Sequence, residues 1–449
     1  MNNSYSVLVL DDDPDILSQI KGILKNIKID DITLSVDPQY VLDILDKRTF
    51  DLAIIDLRIP QISGPAVLQH IRNHSNSEVR EMSILVLCGV VKREEAIFLG
   101  EFGLTEHIFK PLQAAHFEKK VLEMLTLKLT PSSDKVFFTS YKKALDSNDF
   151  TQAQNLLFPK LKLDPKNLRY LLLYSELLLA QGDATKSEEI IDKIFDIDPN
   201  YLPGLNLFSR MLIQEERYDE ALQILEKAKS ISPFNIKRLL VLGELYLGKG
   251  NHQKAETQFS EVLNLHPEHQ QASRGLGKSL LEQGRVFDSK EVFSKINKNW
   301  EMASFFNNKG ILYIHSGKYK QGIHLYENAL KVMDKSDKQY LLFYNVALAY
   351  YKLGNIAMAR NYGDKCKEIA PHEYTKLKLL MEKLKENSFE STPVEGTITS
   401  RAPIPDFLLT KDQVTFINGK DDKQPKNSAD IPTRESEFIV LELDDNVKA

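Results

Sequence analysis

The stretch FDLAIIDLRIPQISG, residues 50–64, places Asp56 directly after a short apolar run. Leu52, Ala53, Ile54 and Ile55 show no polar alternation and read as a strand buried on both faces, the kind found at the centre of a parallel sheet. Pro60 and Gly64 then break the pattern and mark a loop. An ionised carboxylate at the end of such a strand must be paired, metal-bound or chemically used.

Four more strand patterns flank this one: SVLVL (6–10), ITLSV (32–36), SILVLC (83–88) and EHIFK (106–110). A helical pattern follows each of the five. Alternation of this type implies right-handed βαβ crossovers and an α/β, doubly wound, five-stranded parallel sheet. Sites in such sheets form at the carboxyl ends of the strands. Asp11, Asp12 and Asp13 follow the first strand, Asp56 ends the third, and Lys110-Pro111 follows the fifth, so all converge on one edge. Carboxylates crowded there repel unless a hard cation joins them. Mg²⁺ suits the set, because it takes oxygen ligands from one or two carboxylates, waters and a phosphate. An aspartate beside it can act as a nucleophile toward a phosphoryl group.

The stretches VLVLDDDPDIL, LAIIDLRIPQISG and HIFKPL resemble the three signature stretches of bacterial response-regulator receiver domains, which are CheY/flavodoxin-like in fold. The resemblance covers residues 5 to about 128. It implies that Asp56 is the phosphoacceptor and that Lys110 contacts the phosphoryl group. It also implies that Asp11, Asp12, Asp56 and the backbone carbonyl of Arg58 hold Mg²⁺, and that the peptide before Pro111 is cis. Two positions depart from the family pattern. Cys88, followed by Gly89, stands where a hydroxyl residue and then alanine are usual, and a thiol is the weaker hydrogen-bond donor. His107 stands where an aromatic residue usually swings inward on activation, and its charge varies with pH.

Beyond this region the chain turns helical and repetitive. Prolines at 165, 199, 233 and 267 recur at an interval of 34 residues, the period of the tetratricopeptide repeat. About seven repeats resemble that family between residues 134 and 373. In the clearest one, Leu239, Leu242, Gly243, Tyr246, Ala255, Phe259 and Pro267 hold the preferred positions. Small Gly243 lets two helices approach, large Tyr246 and Phe259 fill the gap, and Pro267 ends the second helix. The third repeat is looser, with Glu216 where its neighbours have a turn glycine. The helix YTKLKLLMEKLKEN is expected to cap the open end. The resemblance implies an all-α superhelical solenoid whose concave face takes a protein or peptide. Asn308 and Asn345, at equivalent positions of repeats six and seven, are candidate contacts to a peptide backbone, with solvated side chains as the alternative.

The expected domains are a receiver over 1–128, the repeat array with its capping helix over 133–387, and a tail over 388–449. The tail is rich in Ser, Thr, Pro, Asn and Asp and cannot bury enough apolar surface to order itself. A short apolar segment near 438–443 fits either a strand added to a partner's sheet or packing on the chain's own surface.

The totals narrow the function. A net charge of −5 makes no electrostatic case for nucleic acid. Two cysteines far apart, Cys88 and Cys366, build no disulfide framework and suit a reducing compartment. No stretch reaches the length of a membrane span, and the N-terminal apolar run ends in acids rather than a cleavage site, so a cytoplasmic location is expected. Phosphate-binding loops, metalloprotease and nucleophile-elbow motifs are absent, which argues against a metabolic enzyme. The reading is a two-component response regulator, phosphorylated on Asp56 by a sensor histidine kinase or a phosphotransfer protein, with the repeats as a protein-binding output. A constitutive scaffold with a degenerate receiver, and a competitor for phosphotransfer to another regulator, remain as alternatives. A dimer is left open.

Overall fold

The computed structural model describes residues 5–129, 133–296, 299–332, 339–372 and 374–386. The expected tail over 388–449, with its apolar run near 438–443, lies outside the described residues. The described residues fall into two compact units. The first runs to Tyr246 and takes in Thr257–His269; the second holds Leu247–Glu256 and the chain from Gln270.

The first unit opens with five strands, β1 (Ser6–Leu10), β2 (Asp31–Ser35), β3 (Leu52–Asp56), β4 (Ser83–Cys88) and β5 (His107–Phe109). They pair in parallel in the order β2-β1-β3-β4-β5, so β3, which ends in Asp56, is central. Helices α1 (Pro14–Asn26), α2 (Pro38–Leu45), α3 (Gly64–Arg72), α4 (Ser77–Arg80), α5 (Arg93–Glu101) and α6 (Ala114–Leu129) complete the domain. The one-turn α4 is an addition to the five helices expected.

Burial explains the unbroken apolar strands. Val7, Val9, Leu52, Ile54, Leu85, Leu87 and Ile108 pack with Leu17 and Ile20 of α1 and Phe117 and Val121 of α6. The alternate residues Leu8, Leu10, Ala53, Ile55, Ile84 and Val86 are also buried, so both faces of the sheet are covered. Local chemistry sets where the helices start. Asp13 and Asp37 accept the N–H groups of Asp15 and Gln39, each at 2.9 Å, and proline follows at the first helical position.

Fifteen helices follow among the described residues. Seven hairpins form from α7 (Ser133–Asp146) and α8 (Phe150–Leu163), α9 (Leu168–Ala180) and α10 (Ala184–Ile197), α11 (Leu202–Gln214) and α12 (Tyr218–Ile231), α13 (Ile236–Gly248) and α14 (His252–Leu265), α15 (Gln270–Glu282) and α16 (Val286–Lys295), α17 (Asn299–His315) and α18 (Tyr319–Val332), and α19 (Gln339–Lys352) and α20 (Ile356–Ile369). A last helix, α21 (Thr375–Glu386), buries Leu377, Leu380 and Leu384 in the second unit's core, as a cap should.

The hairpins close as the small-large pattern requires. A methyl on Gly243 would lie 2.7 Å from the Phe259 ring, and one on Gly277 2.5 Å from Phe293. Both rings are fully buried. Each interhelical turn places one residue at positive φ: Asn148, Gly182, Glu216, Gly250, Gly284, Gly317 and Gly354. No described helix is long and apolar enough to cross a membrane.

Candidate functional site

Parallel pairing brings the carboxyl ends of β1, β3, β4 and β5 to one edge of the sheet. Asp11 follows β1 and is fully buried; Asp56 ends β3 and is nearly so; Asp12 is exposed at the rim. Oxygens of the three carboxylates all lie within 4.8 Å of one another. Asp13 stands apart from them. Its N–H donates to Asp11 Oδ1 at 3.0 Å while its own carboxylate caps α1.

Lys110 is held against this group by the strand ladder, its N–H donating to the Cys88 carbonyl at 2.7 Å. The peptide between Lys110 and Pro111 is cis. The Lys110 ammonium lies 2.7 Å from Asp56 Oδ2 and 2.7 Å from Asp11 Oδ2. Burial opposes the Lys110 charge, but the hydrogen bonds to Asp11 and Asp56 outweigh it and raise the lysine pKa. Burial also raises the Asp11 pKa, and the lysine only partly offsets that. One ammonium therefore serves two carboxylates. With Asp11 and Asp56 both buried and sharing that single ammonium, the site has room in its charge balance for a further cation. All-oxygen donors of this kind fit a hard divalent ion, with Asp11, Asp12 and Asp56 as the residues that would hold it.

The loop after β3 wraps tightly. The Arg58 N–H donates to Asp56 Oδ1 at 3.2 Å, and the guanidinium donates to the Val90 carbonyl at 2.7 Å and reaches Glu95 at 3.4 Å. Gly64 rests on the strand end so closely that a methyl there would meet the carbonyls of Leu57 and Asp56 at 2.5 and 2.6 Å. The side-chain links of Arg58 to Val90 and Glu95 have no signature in sequence.

Cys88 is buried at the end of β4 and its thiol points to the Ile108 carbonyl at 3.7 Å. Burial, then the Asp56 charge, pushes its pKa up, which keeps it a thiol. His107 lies exposed at the start of β5, its Nδ1 3.1 Å from the Thr105 carbonyl and its ring edge-on to Phe109.

The two asparagines of the repeats lie elsewhere, in the second unit. Asn345 is fully buried and donates from Nδ2 to Asn307 Oδ1 at 2.9 Å. Asn307 in turn donates to Asn308 Oδ1 at 3.2 Å, and Asn308 is half-buried. The packing thus reassigns Asn345 from a peptide contact to an internal one. The register reading missed Asn307, one residue before Asn308, because period alone does not say which face closes.

Two kinds of family model match the chain. The response regulator receiver domain model matches residues 7–122. Tetratricopeptide repeat models match residues 144–204, 212–264, 240–293 and 341–373. Among curated proteins, the chain is similar to chemotaxis protein CheY-3 of Vibrio cholerae, 26% identical over 121 residues, covering 27% of this chain and 92% of the relative. It is also similar to chemotaxis protein CheY of Pseudomonas aeruginosa, 22% identical over 115 residues, covering 26% and 91%. Among solved structures, a tetratricopeptide repeat protein from Parabacteroides merdae aligns over 56% of this chain and 98% of its own, at 17% identity and a TM-score of 0.34. The chain is a response-regulator receiver domain fused to an array of tetratricopeptide repeats.

Proposed function

We propose that the protein is a two-component response regulator in which Asp56 accepts a phosphoryl group and the repeats bind a partner protein. The observation that carries this is the convergence of Asp11, Asp12 and Lys110 on Asp56 at the strand ends. The donor is a sensor histidine kinase or a phosphotransfer protein. An Asp56 oxygen forms the new O–P bond while the P–N bond of the donor phosphohistidine breaks, and the donor imidazole keeps the electron pair. The Lys110 ammonium, already 2.7 Å from Asp56 Oδ2, is placed to hold a phosphoryl oxygen. Asp11 and Asp12 would hold Mg²⁺, which supplies charge neutralisation between the carboxylates and the transferring oxygens. The chain is a phosphoryl acceptor and binding protein rather than a metabolic enzyme, and it acts in the cytoplasm.

Cys88 favours a second reading. Its thiol is directed to the Ile108 carbonyl, and it is a poor donor to a phosphoryl oxygen. On that reading the receiver is degenerate and the repeats are a constitutive scaffold. Intact mass after acetyl phosphate and Mg²⁺ separates the two. A gain of one phosphate, about 80 Da, in the wild type but not in Asp56→Asn supports the first. No gain, with no response to beryllofluoride, favours the scaffold.

A further inference from the structure

The connector between α12 and α13 breaks the repeat pattern. The two preceding connectors at the same register read DPKN (164–167) and DPNY (198–201); this one reads SPFN (232–235). The change removes a carboxylate and adds a phenyl ring, and both meet the receiver. Ser232 Oγ donates to Glu101 Oε2 at 2.7 Å, and Asn235 and Asn206 donate to Glu101 Oε1 at 2.8 and 3.0 Å. The Arg238 guanidinium completes the set, and the Glu101 and Arg238 side chains are only 4% and 2% exposed. An aspartate at 232 would set a second carboxylate against Glu101. Phe234 meets Phe98 of α5 edge-on at 6.3 Å. From α3, Gln69 brackets the same connector, donating to the Phe234 carbonyl at 2.8 Å and accepting from the Ile236 N–H at 2.7 Å. Ile97 of α5 packs with Leu202, Leu205 and Ala228.

We propose that this connector is a docking element that holds the receiver on its own repeats, and that docking is coupled to the phosphorylation of Asp56. The coupling rests on the reading of Asp56 as phosphoacceptor; the docking does not. Two short paths join Asp56 to the docked helices. Gly64 pins the loop after β3 against the strand end, and Ser63 in that loop donates its N–H to the carbonyl of Leu265, the last residue of α14, at 2.8 Å. Arg58 bridges Asp56 to Glu95 on α5, the helix that carries Glu101. A change of charge and size at Asp56 therefore acts on both helices that grip the connector. Removing one partner of the buried pair leaves an uncompensated charge, whereas undocking lets water solvate both. The contact is built to be either closed or open.

The test is amide hydrogen exchange of residues 97–101 and 232–238 in the full chain, with and without Mg²⁺ and beryllofluoride. Glu101→Ala and Arg238→Ala should each raise exchange in both segments on the order of tenfold or more. The milder Ser232→Asp should act in the same direction, and it serves if the alanine variants fail to fold. The exchange of charges, Glu101→Arg with Arg238→Glu, should recover much of the protection. By linkage, the factor by which beryllofluoride shifts opening in the wild type equals the ratio of its affinities for the open and closed forms, which is the ceiling on any affinity shift in Glu101→Ala. Unchanged exchange in folded single variants overturns the docking. Raised exchange in the variants, with wild-type opening that beryllofluoride does not shift, overturns the coupling and leaves the docking standing. A wild type that takes neither beryllofluoride nor phosphate overturns the phosphoacceptor reading and the coupling with it, while the docking stands or falls on the exchange data alone.

Discussion

Glu216 occupies, at φ 60°, the interhelical turn position that Gly250 fills one repeat later at φ 74°. A side chain in the left-handed region costs about 1–2 kcal/mol, and glycine returns part of that in unfolded-chain entropy. Glu216→Gly should therefore stabilise the protein by about 0.5–1 kcal/mol. The check is the urea midpoint with an unchanged slope. No increase would mean that the Glu216 side chain contributes contacts that offset the strain.

Glycines on helices divide by what lies beside them. Gly243→Ala would drive a methyl into the buried Phe259 ring and should cost about 1–3 kcal/mol. Gly22, on the exposed face of α1, has nothing within 4 Å of an added methyl. Gly22→Ala should stabilise by up to about 1 kcal/mol. Denaturation of the pair, read side by side, tests close approach against plain helix propensity.

Lys110→Ala would leave the buried Asp11 and Asp56 carboxylates facing each other without the ammonium. We expect a loss of about 3 kcal/mol in metal-free buffer. Added Mg²⁺ should restore more stability to the variant than to the wild type, because the cation then replaces the missing charge. Equal Mg²⁺ effects on both proteins would argue against a cation site at these carboxylates.

Both cysteines are buried thiols. Burial pushes Cys366 up to about 12 and also raises Cys88, which the Asp56 charge raises further. Neither should react with a thiol reagent at neutral pH until the protein unfolds. A raised folded pKa means that the stability these groups contribute is intact below their unfolded value of 9.0 and falls as pH climbs through the folded one. Labelling of native protein at neutral pH, read by mass, is the check; rapid modification of Cys88 would show that its pocket opens.

The receiver fold was legible because its information is local. Apolar runs buried on both faces, ended by an acid in β1 and β3 and by Cys88 in β4, name the three central strands and place their carboxyl ends on one edge. Parallel pairing then leaves little freedom in where Asp11, Asp56 and Lys110 meet. The repeats were legible for the same reason: a period of 34 residues in proline and small-large pairs needs no distant partner to be read. Asn345 shows the limit. Its register is right, yet whether a helix position faces solvent or Asn307 depends on how neighbouring hairpins close.

Sequence alone thus determined the two architectures, the pocket residues and the order of the repeats, since each follows from patterns within a strand, a helix or a turn. Tertiary structure alone decided that Glu101 and Arg238, 137 residues apart, form a buried pair and that the SPFN connector lies between α3 and α5. A glutamate at a helix end and an arginine on a repeat helix look like solvated surface in sequence. Only the approach of two folded elements removes the water, and with it the reason to read those charges as exposed.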